Sequence, residues 1–141
     1  MTQADTVREI LQSCRTVAVV GLSPKPHRDS YGVARYMQAQ GWRIVPVNPN
    51  AHDVLGEQAY ANLTEAAQAL AAQGQKIDLV DCFRNSEDIP PVVDEAIAIG
   101  ARAVWMQVGV ENAAAASKAR AAGLRVGEDR CLKIDHAAAQ R

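Results

Sequence analysis

Five short runs of β-branched and apolar residues, separated by alanine-rich stretches of helical length that end in glycine, restrict this chain to one kind of architecture. The runs are Thr16–Gly21, Arg43–Val47, Ile77–Phe83, Ala103–Val108 and Arg125–Gly127. They lack a polar alternation, so each reads as a strand buried on both faces, as in a parallel sheet covered by helices. Helices are predicted at about Ser30–Gln40, Thr64–Gln73, Ile89–Ile99 and Asn112–Ala122, with a leading helix at about Asp5–Ser13. Gly41, Gly74, Gly100 and Gly123 sit where a left-handed residue ends a helix cheaply. Pro90 and Pro91 suit a first helical turn, where a missing N–H costs nothing.

The expected fold is a three-layer α/β/α, Rossmann-like domain with a five-stranded, mainly parallel sheet. Right-handed crossovers favour the strand order 3-2-1-4-5. Ligand would then bind at the carboxyl edge, near strands 1 and 4, where the winding reverses. With 141 residues the whole chain, 1–141, reads as a single domain able to bury a core without disulfides or metal.

Fifteen basic residues stand against 16 acidic ones, which argues against a general nucleic-acid binder, because backbone affinity needs a basic face. No apolar run reaches membrane-spanning length and the first residues lack a signal-peptide pattern, so a cytoplasmic protein without membrane attachment is expected. Cys14, Cys82 and Cys131 are widely spaced and read as reduced thiols. His27, His52 and His136 show no zinc spacing, and no structural metal is expected.

The loops that follow the five strands meet at one edge of such a sheet. After the first strand comes Gly21-Leu-Ser-Pro-Lys-Pro-His-Arg28, running into a helix that Ser30 is placed to cap. Glycine lets backbone come close to a ligand, a helix N-terminus attracts phosphate, and Lys25, His27 and Arg28 add donors. The later loops are Asn48-Pro-Asn50, Arg84-Asn-Ser86, Gln107-Val-Gly109 and Glu128-Asp-Arg-Cys131. A dinucleotide dehydrogenase would carry GxGxxG and an acidic residue after the second strand, and neither is present; Asn48 stands in the second position. The GxxxxGK[ST] motif of ATP-binding loops is missing too.

Val19-Val-Gly-Leu-Ser-Pro-Lys-Pro26, Val45-Pro-Val-Asn-Pro49, Asp81-Cys-Phe-Arg84, Trp105-Met-Gln-Val-Gly109 and Asp129-Arg-Cys-Leu-Lys-Ile-Asp-His136 together closely resemble the small stand-alone CoA-binding domain proteins. That family is similar to the CoA-binding domain of the succinyl-CoA synthetase alpha subunit and of ADP-forming acyl-CoA synthetases. The resemblance implies coenzyme A, or an acyl-CoA, across the carboxyl edge. It assigns the phosphates to Gly21, Ser23, Pro24, Lys25 and Arg28, and the adenosine to Asn48 and Pro49. Phe83 and Arg84 would flank the adenine and the 3′-phosphate, and Gln107 and Gly109 would meet the pantetheine or pyrophosphate.

The phosphohistidine and ATP-grasp parts of those synthetases have no counterpart here, so the expectation is non-catalytic binding, with no catalytic residue assigned. Two alternatives stay open: an enzyme acting on a CoA thioester or nucleotide through Cys131 or Asp81, and an NAD(P)-binding protein. Asp129 with Arg130 is expected to pin the tail by an ion pair, and His136 would serve as a base only if that tail folds back. A homodimer or an unidentified protein partner is left open.

Overall fold

A computed structural model describes residues 1–141. The elements in chain order are α1 (Gln3–Ser13), β1 (Thr16–Val20), α2 (Asp29–Ala39), β2 (Arg43–Val47), β3 (Asp53–Val54), β4 (Glu57–Gln58) and α3 (Leu63–Ala71). There follow β5 (Leu79–Cys82), a 3-10 turn at Ser86–Asp88, α4 (Ile89–Ala98), β6 (Ala103–Met106), α5 (Ala113–Ala121), β7 (Arg125–Gly127) and α6 (Leu132–Ala139). The expected strands and helices are all present, with ends that differ by at most two residues. The β3–β4 hairpin and α6 were not expected. No helix is long and apolar enough to cross a membrane.

The five main strands are parallel and lie in the order β2-β1-β5-β6-β7. This corrects the expected order: the third main strand pairs with β1 rather than continuing outward past β2. Pro46 gives the physical reason. Without an N–H it leaves a gap in any ladder on the side it faces, so β2 belongs at an edge with that side outward. Its carbonyl faces outward and accepts from Tyr60 N–H at 3.0 Å, while Tyr60 C=O accepts from Asn48 N–H at 2.9 Å. A single returning segment therefore covers the edge of β2, in place of a full strand.

Order and handedness together fix the layers. Residues alternate along β1, so Val17 and Val19 join a core with α1, α2 and α6, while Ala18 and Val20 join one with α3, α4 and α5. The winding reverses between β1 and β5, whose chains run side by side to their ends: Phe83 N–H donates to Val20 C=O at 2.8 Å. One residue further, the first chain turns toward α2 on one face and the second toward α4 on the other.

Gly21 makes that parting tight. It has φ +89°, and a Cβ there would lie 2.2 Å from the Phe83 carbonyl oxygen. Gly41 has φ +90° but open space around a would-be Cβ. Gly21→Ala is therefore expected to lower unfolding stability by at least ~2 kcal/mol, from backbone strain plus displacement of Phe83. Gly41→Ala should cost clearly less in the same urea unfolding series. Equal losses would show that backbone conformation alone, not contact with Phe83, makes Gly21 necessary.

Candidate functional site

A cleft of about 1250 Å³ opens where β1 and β5 part, above the carboxyl edge. One lip is Pro26–Asp29 with Gly32 and Val33 of α2; the other is Phe83–Asp88; the far end is Gln107–Val110 with Cys131, Lys133 and Ile134. The crevice thus lies between the first and third main strands, correcting the expected position between the first and fourth.

The lip after β1 is held by its own polar groups. Gly21 N–H donates to Val47 C=O at 2.8 Å, Lys25 N–H to Ser23 Oγ at 3.1 Å, and Arg28 N–H to Lys25 C=O at 3.1 Å. Ser23 N–H donates to Ser30 Oγ at 3.0 Å. The expected cap is corrected here. Arg28 occupies the N-cap position and makes no side-chain cap bond, while Ser30 is buried inside the first turn and ties the loop back to the helix. No side chain caps the first turn of α2, and Asp29 and Gly32 of that helix line the cleft. Such an end attracts anions.

Of the residues expected to bind ligand, the cleft brings together Arg28, Phe83, Arg84, Gln107 and Gly109. Gly21, Ser23, Pro24 and Lys25 shape the adjoining loop without lining it, and Asn48 and Pro49 lie beyond it over β2. Both ends of the Asn48 amide are already used: Nδ2 donates to Leu22 C=O at 2.9 Å, and Oδ1 accepts from Asn50 N–H at 2.9 Å. Asn48 acts on the loop, holding it against the end of β2.

Arg28, Arg84 and Lys133 line the cleft and form no ion pair, whereas seven other lysine and arginine side chains are paired. Asp29, Glu87 and Asp88 are also on its walls, so the lining is mixed in sign, with unpaired guanidinium groups on both lips. Ser86 joins two of the loops: its Oγ accepts from Glu111 N–H at 2.9 Å and its carbonyl from Asn112 Nδ2 at 3.1 Å.

The far wall is the part that sequence reasoning missed, because it depends on α6. This helix folds back onto α2 and buries His136, whose Nδ1 sits 2.9 Å from Tyr36 Oη and whose ring meets Tyr36 and Trp42 edge-on. Burial, helped by the nearby Arg15 charge, lowers the His136 pKa. His136 therefore packs in the interior and does not reach the cleft. The tail is pinned by Arg130 and Asp135, at 2.7 and 3.1 Å, instead of by Asp129 with Arg130. Asp129 accepts from Gly109 N–H at 2.7 Å and steadies the loop after β6. The spacing of Leu132 and His136 beside an alanine run was the available sign of a helix.

Cys14, Cys82 and Cys131 are all free thiols. Burial raises the pKa of Cys14, and burial with the adjacent Asp81 raises that of Cys82. Cys131 is half-buried and lines the cleft. Asp81 does not: it is fully buried within β5, neither carboxyl oxygen has a partner, and burial pushes its pKa well above the carboxylate range.

An open α/β sheet with a polar crevice at the carboxyl side of its switch point is a ligand-binding class of fold. The family described as "CoA binding domain" matches residues 15–137. The chain is 38% identical over 131 residues to the uncharacterised protein YneT of Bacillus subtilis strain 168, across 93% of this chain and 92% of that protein. A hypothetical protein from Pyrococcus horikoshii OT3 superposes with TM-score 0.86 and 35% identity, covering 100% of this chain and 94% of that one. The cell-free ID.343 protein from Thermus thermophilus gives TM-score 0.85 and 30% identity, covering 98% of each. The chain belongs to the CoA binding domain family.

A carboxyl that stays protonated in the folded state has a defined effect on stability. The unfolded chain ionises Asp81 near pH 4, and the folded chain does so only at much higher pH. Its contribution is therefore complete below about pH 4 and lost as pH rises, by ~1.4 kcal/mol per unit until the folded pKa is reached. Asp81→Asn removes this slope, so its stability relative to the parent protein should increase from about pH 4 to pH 6 in urea unfolding. A difference independent of pH would show that Asp81 is ionised in the fold.

Proposed function

We propose that the cleft binds coenzyme A or an acyl-CoA without acting on it. One observation carries the reading: Arg28 and Arg84 stand on the two lips where β1 and β5 part, and neither is paired. CoA brings a pyrophosphate and a 3′-phosphate, and guanidinium groups meet phosphate oxygens with two parallel donors. The uncapped first turn of α2 supplies backbone donors and a partial positive charge between them. Membership of the CoA binding domain family supports the same ligand.

In this pose the adenosine lies toward β2, beside Asn48 and Pro49, the pyrophosphate meets the start of α2, and Phe83 and Arg84, on the other side of β1, meet the pyrophosphate and the start of the pantetheine instead of the adenine. Gly21, Ser23, Pro24 and Lys25 set the loop, with the Lys25 charge at its outer side. The pantetheine arm runs toward β6 and α6. Two of the groups that thioester chemistry would recruit are withdrawn, Asp81 being sealed in the sheet and His136 bonded to Tyr36, which leaves Cys131 on the cleft wall without either as a base.

Calorimetric titration of ligand-stripped protein tests this directly. CoA should bind saturably, in preference to NAD, NADP and ATP, and dephospho-CoA should bind less tightly. Arg28→Ala and Arg84→Ala should each weaken CoA by ~1–3 kcal/mol, the range for hydrogen bonds to charged groups. Undiminished affinity in both variants would remove this pose, and preferential binding of a nicotinamide cofactor would replace the ligand.

A further inference from the structure

The end of the cleft furthest from β2 holds a donor with nothing to donate to. Gln107, at the end of β6, is only 5% exposed. Its Oε1 accepts from Leu132 N–H at 3.2 Å, the first amide of α6. That bond fixes the side-chain amide and turns Nε2, which has no partner in the structure, into the cleft that Gln107 lines. Nε2 is held in place yet open to water at the cleft surface, so a ligand that brings an acceptor can take the place of that water.

The surroundings specify what kind of acceptor. Cys131, Val108, Val110 and Ile134 line the same end of the cleft. Val108 and Ile134 are 67% and 65% exposed, and apart from Met1 they are the only large hydrophobic side chains left so open. Cys131, the N-cap of α6, makes no side-chain cap bond and presents a soft apolar surface beside them. The pattern is a fixed amide donor, a helix N-terminus favouring partial negative charge, and an apolar rim. Those features match a carbonyl oxygen bearing a short hydrocarbon group.

We infer that this end of the cleft recognises the acyl group of an acyl-CoA, with Gln107 Nε2 donating to the thioester carbonyl and Val108 and Ile134 covering the acyl chain. The inference rests on the CoA reading. With the nucleotide over β2 and β1, the strand order puts β6 and α6 at the end of the cleft left for the sulfur. The selected ligand is then the acylated form.

The test compares acetyl-CoA with S-ethyl-CoA, a thioether in which CH2 replaces the carbonyl, by calorimetric titration. The parent protein should bind acetyl-CoA about three- to tenfold more tightly, the value of one hydrogen bond. Gln107→Glu keeps an acceptor for Leu132 N–H and loses the donor, so it should abolish that preference, whatever its effect on CoA affinity itself. Gln107→Leu should abolish it as well, with thermal unfolding checking that α6 stays docked. Equal affinity for the two ligands in the parent protein overturns the inference and leaves CoA binding intact. A preference that survives both substitutions overturns the role of Gln107. Failure of every CoA form to bind overturns the underlying reading and this inference with it.

Discussion

The contact between Gly21 and the backbone of Phe83 is the constraint on which the site depends. Two parallel strands can run together to their ends and then separate sharply only if the first residue beyond one of them has no side chain. A Cβ at Gly21 would occupy the space of the Phe83 carbonyl oxygen. With glycine there, β1 and β5 stay paired up to Val20 and Phe83, and the chains leave for opposite faces of the sheet at once. The cleft is the wedge between them. Its lips carry Arg84, the residue after Phe83, and Arg28, at the end of the loop that leads from Gly21 into α2. The glycine at this turn thus serves a backbone-to-backbone approach, which in turn creates room for ligand.

Around that wedge the protein uses polar side chains to fix loops. Asn48 holds the loop after β1, Ser30 anchors it to α2, Ser86 joins the loops after β5 and β6, and Asp129 steadies Gly109. The cleft walls keep the cations Arg28, Arg84 and Lys133, the carboxylates of Asp29, Glu87 and Asp88, the first turn of α2, and Nε2 of Gln107. They lie on several different elements, so the site exists only once the sheet order is established.

Much of this was legible in the residues. Apolar runs without alternation gave buried parallel strands, and the glycines after each helix marked the exits. The loop from Gly21 to Arg28 was recognisable as a candidate anion site; several of its N–H groups are satisfied internally, which leaves the first turn of α2 and the Arg28 side chain as the donors free to meet a ligand. Strand order was misread because handedness rules admit two arrangements. Pro46 discriminates between them, since a central strand cannot tolerate it. The far wall was missed because α6 is short and its stability is tertiary: Arg130 with Asp135 and His136 against Tyr36 and Trp42 hold it, and neither partner set is adjacent in sequence throughout. Asn48 stood at the right place for a ligand contact, but only the structure shows its amide spent on Leu22 and Asn50.

The central claim is that CoA occupies the wedge between β1 and β5. Mapping backbone amide shifts by NMR as CoA is added tests it most directly. The account predicts perturbation at Asp29–Tyr31, Phe83–Arg84 and Gln107–Gly109, with the opposite edge at Glu9–Ser13, Arg102 and Arg125 silent. Saturable binding whose shifts concentrate at that opposite edge, leaving the amides around Gly21 and Phe83 unchanged, would contradict it.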